Sequence, residues 1–100
     1  MTKRFRPLVH RTLSRVRIAV LGGDGRLPGK VTTALPANAQ VFHYASTHNG
    51  GDGEARNLAQ AIQNGGIDWV WILARWNGHT ATRRIRRLCR RFEIPVKIIR

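Results

Sequence analysis

The sequence predicts an α/β fold. It is a single doubly wound sheet, Rossmann-like or flavodoxin-like, of four parallel strands in the order 2-1-3-4, preceded by a basic amino-terminal arm. Three observations carry this prediction. Short apolar runs alternate with helical patterns in the order strand, helix, strand, helix, strand, helix, strand. The apolar runs are continuous, as in strands covered on both faces. Right-handed crossovers between parallel strands then leave 2-1-3-4 as the expected order.

Each element has its own signal. Residues 1–16 read as the basic arm and 17–100 as the α/β domain. Pro7 can open a short helix over 8–15, with Leu8, Val9, Leu13 and Val16 on one face. Residues 17–21 form the first strand and run into Gly22-Gly23-Asp24-Gly25. A short helix is expected over about 28–35, weakened by Gly29 and three β-branched residues and stopped by Pro36. The second strand is 40–44, followed by a polar loop over 46–53. Residues 54–64 form a helix carrying Ala55, Leu58, Ala59, Ala61 and Ile62, with Gly65-Gly66 as its stop. The third strand, 68–73, is the strongest. After a turn over 75–79, a third helix spans 80–92 and halts before Pro95, where the last strand, 95–99, begins.

Composition narrows the class. The chain has 100 residues, 18 Lys and Arg against five Asp and Glu, and a net charge of +13. That length suits one domain. The 42% hydrophobic content argues for a packed core rather than a disordered basic peptide. No apolar run approaches the roughly 18 residues of a membrane span, so a cytoplasmic protein without a membrane partner is expected. Met1 to Phe5 lack the apolar stretch of a secretory signal. The single Cys89 excludes an internal disulfide. It lies on the apolar face of its helix, where a buried structural thiol is the expected role.

The charge is concentrated. Residues 1–17 hold Lys3, Arg4, Arg6, Arg11, Arg15 and Arg17, and residues 83–91 hold Arg83, Arg84, Arg86, Arg87, Arg90 and Arg91, with no acid in either segment. The rest of the chain is close to neutral. At 100° per residue the six arginines of 83–91 share one arc of about 160°, with Ile85, Leu88, Cys89 and Phe92 opposite. A solvated helix face normally mixes signs. Here Arg83–Arg87, Arg86–Arg90 and Arg87–Arg91 are like-charge pairs four apart, each mildly destabilising. Arginine rather than lysine favours phosphate recognition. The pattern points to an anionic partner, nucleic acid first.

Open parallel sheets bind ligands beyond the carboxyl ends of their strands, where the order reverses. The candidate ligand residues there are Gly22, Gly23, Asp24, Gly25 and Arg26 after the first strand, and Arg75, Trp76, Asn77, His79 and Thr80 after the third. Gly50-Gly51-Asp52-Gly53 repeats the first loop's tetrapeptide. Glycines permit sharp turns and close approach, and the start of a helix favours anions. The same glycines serve bare turn chemistry equally well. Pro28 stands where a Gly-x-Gly-x-x-Gly motif needs its third glycine, and no acid closes the second strand, which argues against a dinucleotide site. Trp76 can stack on a base or lid the core, whereas Trp69 and Trp71 read as core. His10, His43 and His48 show no metal-ligand spacing. No cofactor and no metal are expected.

Residues 17–21 leading into Gly22-Gly23, residues 68–73 leading to Asn77-Gly78-His79, the amphipathic helix, and Ile94-Pro95-Val96-Lys97-Ile98-Ile99 together resemble a small bacterial family of uncharacterised Rossmann-like domains. The resemblance covers about 17–100. It implies a fold and a site edge, with a Gly-Gly opening strand and a histidine at the start of the last helix, and it implies no activity.

The leading functional expectation is a non-enzymatic nucleic-acid-binding module. It contacts phosphates through Arg83, Arg84, Arg86, Arg87, Arg90 and Arg91, with Lys3, Arg4, Arg6, Arg11 and Arg15 wrapping the backbone. One alternative is a regulatory domain holding a nucleotide or phosphorylated ligand at the carboxyl edge. A weaker one is a metal-dependent nuclease using Asp24, Asp52 and His79, in which helix capping and turn roles explain both aspartates more simply. A homodimer through an edge strand, or a subunit of a nucleoprotein assembly, is compatible with each.

Overall fold

A computed structural model describes residues 15–46 and 53–100. Four strands, β1 (Val16–Leu21), β2 (Ala39–Tyr44), β3 (Trp69–Leu73) and β4 (Val96–Ile99), form one sheet in the order β2-β1-β3-β4. Every pairing is parallel. The helices are α1 (Gly29–Ala34), α2 (Gly53–Gln63) and α3 (His79–Arg91). This is the expected order and fold class.

The chain moves one way across the sheet from β1 to β2, and the other way from β2 to β3 and from β3 to β4. Right-handed crossovers therefore put α1 on one face and both α2 and α3 on the other. The two cores follow that division. Ala19, Leu21, Val70 and Ile72 pack against Ala55, Leu58 and Ile62 of α2 and Ile85 and Cys89 of α3. Ile18, Val20, Trp71 and Leu73 pack against Val31 of α1. Since alternate residues of β1 serve opposite cores, its last four are buried completely. That explains why its sequence reads as an unbroken apolar run. Trp69 and Trp71 meet edge to face, with ring centroids 5.3 Å apart, and Lys97 Nζ lies 4.7 Å from the centroid of the Trp71 ring. Trp71 is fully buried and Trp69 packs, partly buried, against the same core, on the side the sequence expected.

Two boundaries move for physical reasons. β1 begins at Val16, one residue earlier than expected, and Arg17 fastens it to the residue that precedes β3. Its guanidinium forks onto Asp68, Nη2 to Oδ1 at 2.9 Å and Nε to Oδ2 at 3.0 Å, while its backbone N–H donates to Oδ2 at 2.9 Å. Donating these hydrogen bonds to Asp68 holds the guanidinium pKa above its ordinary value. One of the six cations of 1–17 thus serves the join between β1 and β3. At its far end α3 stops at Arg91, four residues before Pro95 and one earlier than expected. Glu93 takes a left-handed conformation, φ 58°, and the N–H of Ile94 donates to Cys89 O at 2.8 Å. This is a C-terminal cap built without glycine. The turn after β3 also contains a 3-10 segment, Ala74–Trp76.

Candidate nucleic-acid interface and carboxyl edge

At the carboxyl edge, several of the residues expected to cradle a ligand are engaged by the chain itself. Gly22 adopts φ 127° and Gly23 φ 90°. A Cβ at Gly22 would lie 2.7 Å from Leu73 Cβ and 3.0 Å from Asn77 Nδ2. The close approach that Gly22 allows is therefore made by β3 and its following turn. Asn77 closes the gap from above. Its Nδ2 donates to Leu21 O at 3.1 Å and to Leu73 O at 2.9 Å, and its Oδ1 accepts from Ser46 Oγ at 2.7 Å. One side chain thus ties together the ends of β1, β2 and β3. His43 adds a second tie: its Nε2 lies 2.6 Å from Gly22 O. A carbonyl can only accept, so Nε2 carries the proton.

The first loop is also internally satisfied. Asp24 Oδ1 accepts from Gly25 N at 2.7 Å and from Arg26 N at 3.3 Å, an Asx-type turn. A carboxylate of the chain sits where amides of a phosphate cradle would point. Arg26, Arg75, His79 and Thr80 are exposed at this edge, and Trp76 is half-buried against the α1-side core. Sequence reasoning missed Ser46 and His43 as site residues. The only available signal was their place at the end of the second strand, beside the loop that needs closing.

The α3 helix is built as its sequence requires. Ile85 and Cys89 are fully buried, Ala81, Leu88 and Phe92 partly so, and all six arginines are exposed. Burial pushes the Cys89 thiol up to about 11, as expected for an inert structural cysteine. The arginines are not one uniform array. His79, Thr82, Arg83, Arg86, Arg87 and Arg90 line an open groove of about 320 Å³. These six fall within an arc of roughly 140° on the helix. Arg84 and Arg91 fall outside it, and the Arg91 guanidinium rests 5.9 Å from the Phe92 ring centroid. His79, which the sequence assigns to the glycine-loop edge, is the head of this groove. Among the described residues, no carboxylate pairs with Arg83, Arg86, Arg87 or Arg90.

Lys3, Arg4, Arg6, Arg11, Asp52 and all of the expected helix over 8–15 but its last residue, the exposed Arg15, lie outside the described residues. Among the described residues no three His, Cys, Asp or Glu side chains gather into a metal-ligand group. No helix among them is long and apolar enough to cross a membrane. No family model, no curated protein and no solved structure matches the chain.

Proposed function

We propose that this protein is a non-enzymatic nucleic-acid-binding module that contacts backbone phosphates through the exposed arginine face of α3. The observation that carries this reading is the groove in which Arg83, Arg86, Arg87 and Arg90 converge with no carboxylate partner among the described residues. Like charges held this close repel, and an anionic ligand relieves that repulsion. Guanidinium forks match phosphate geometry, and such contacts hold a backbone without reading bases. The reading carries with it a cytoplasmic location and membership of the Rossmann-like family that residues 17–100 resemble. The arm cations Lys3, Arg4, Arg6, Arg11 and Arg15 would add to the same backbone contact.

The test is the salt dependence of binding to duplex DNA, followed by fluorescence anisotropy. Six neutralised phosphates give a slope of log K against log salt of about −5. A slope near zero, or no binding at low salt, overturns the reading. A nucleotide or phosphorylated ligand at the carboxyl edge is the second reading. It is supported by the exposed Arg26 and Arg75 at the same sheet edge as the amino terminus of α3, which has no side-chain cap. A thermal shift on adding nucleotides, abolished by Arg75→Ala, is its signature.

A further inference from the structure

The division of the arginine face says more about the ligand than its total charge does. An α-helix inserted into the major groove of B-DNA meets phosphates on walls about 12 Å apart. Such a helix needs cations fanned to both sides. In α3, four guanidinium groups, with His79 and Thr82, line one shared space of about 320 Å³. Side chains converging on one space this small meet a single line of phosphates. Arg83 and Arg90 are separated by about 10.5 Å along the helix axis, and His79 to Arg90 by about 16.5 Å. The space is thus a lane along the helix rather than a point site. Among the described residues no Trp, Tyr or Phe lines it, Trp76 packing on the opposite face of the sheet, and its one ring is the His79 imidazole at the head of the lane. A lane lined mainly by guanidinium forks, without a tryptophan, tyrosine or phenylalanine platform, is better suited to phosphates than to bases.

We infer that the flank formed by His79, Thr82, Arg83, Arg86, Arg87 and Arg90 is a track for one phosphodiester strand, held by its phosphates alone, and that Arg84 and Arg91 lie outside it. This rests on the nucleic-acid reading above and narrows it to a ligand geometry. The ligand is a free single strand or one strand of a duplex, since both present the same line of phosphates.

Two variants of the full chain with equal loss of charge separate the flanks: Arg86→Gln with Arg90→Gln, and Arg84→Gln with Arg91→Gln. Binding of labelled 20-nucleotide single strands and of the matching duplex is measured by anisotropy over a range of salt. Thermal melts confirm that both variants fold. For the single strand, losing two phosphate contacts flattens the salt slope by about 1.4 and weakens binding roughly 25-fold at 0.1 M salt relative to the 1 M reference. That loss is expected for the Arg86/Arg90 pair, with less than about threefold for the Arg84/Arg91 pair. Oligo-dA and oligo-dT are expected to bind within about threefold of each other. A groove-dependent loss confined to single strands identifies a free strand as the ligand. The same loss on the duplex identifies one strand of a duplex. Equal losses from both pairs, or a tenfold preference between the two homopolymers, overturn the track. Failure of the unaltered protein to bind any of these nucleic acids overturns the nucleic-acid reading itself.

Discussion

Asn77→Ala removes the side chain that joins three strand ends. The lost groups are two donated bonds, to Leu21 O and Leu73 O, and one accepted bond, from Ser46 Oγ. A typical intramolecular hydrogen bond contributes about 1 kcal/mol net, and a carbonyl left without a partner in a part-buried site costs more. The expected loss is therefore about 2–3 kcal/mol. For a chain of this size that corresponds to a fall in Tm of roughly 10–20 °C. Urea unfolding followed by tryptophan fluorescence reads it as a lower midpoint with an unchanged m-value. Asn77→Asp is the sharper probe. Its carboxylate keeps the bond from Ser46 Oγ but turns acceptors toward two carbonyls, so it should be at least as damaging. Asn77 is remote in role from the arginine track, so nucleic-acid affinity at a temperature where the variant is folded should change less than threefold. A loss below about 0.5 kcal/mol in both variants would refute the assignment of Asn77 as a clamp.

The two outer glycines of Gly22-Gly23-Asp24-Gly25 should respond unequally to alanine. At Gly22 the positive φ and the 2.7 Å approach to Leu73 Cβ make the cost about 2 kcal/mol or more, whereas at Gly25 nothing lies within 4 Å and the change should stay within about 0.5 kcal/mol in the same urea assay. Glu93→Gly should raise stability by about 0.5–1 kcal/mol by relieving the left-handed φ of 58°, read as a higher urea midpoint. The Cys89 thiol titrates near 9.0 when unfolded and near 11 in the fold. Its folded-state pKa is raised, so its contribution is complete below pH 9 and lost as pH climbs toward 11. By pH 10.5 this amounts to about 2 kcal/mol, and Cys89→Ala should lack that added decline. Parallel losses in the two proteins would rule it out.

The fold was legible because its signals are redundant. Continuous apolar runs mark strands covered on both faces, and handedness orders them once their connections are known. Burial of both faces of β1 made Ile18, Ala19, Val20 and Leu21 unmistakable. The site was less legible, because residue type does not say which partner satisfies it. Gly22 was rightly picked out as a point of close approach, but the approaching group is Leu73 rather than a ligand. Asn77 was named for its place in the loop after the third strand, but its amide is turned onto two main-chain carbonyls. The sequence places Arg17 in the first strand, but nothing in it pairs Arg17 with Asp68, 51 residues away. A helical wheel gave the arginine arc but not its division, since a groove depends on where side chains gather as well as on their angles.

The unequal cover of the two faces of the sheet has a dynamic consequence. The face bearing α2 and α3 is sealed by helices of 11 and 13 residues. The other carries α1, six residues long, with Val31 as its only fully buried side chain and no side-chain cap at its start. A helix of that length has almost no stability of its own. Its detachment breaks few contacts, so α1 belongs to the low-energy end of the spectrum of local openings while β1 and β3 stay paired. Amide hydrogens of α1 should exchange with solvent long before those of β1. The half of the molecule that holds Trp69 and Trp71 is therefore the half that breathes, and the half that holds the arginine helix stays shut.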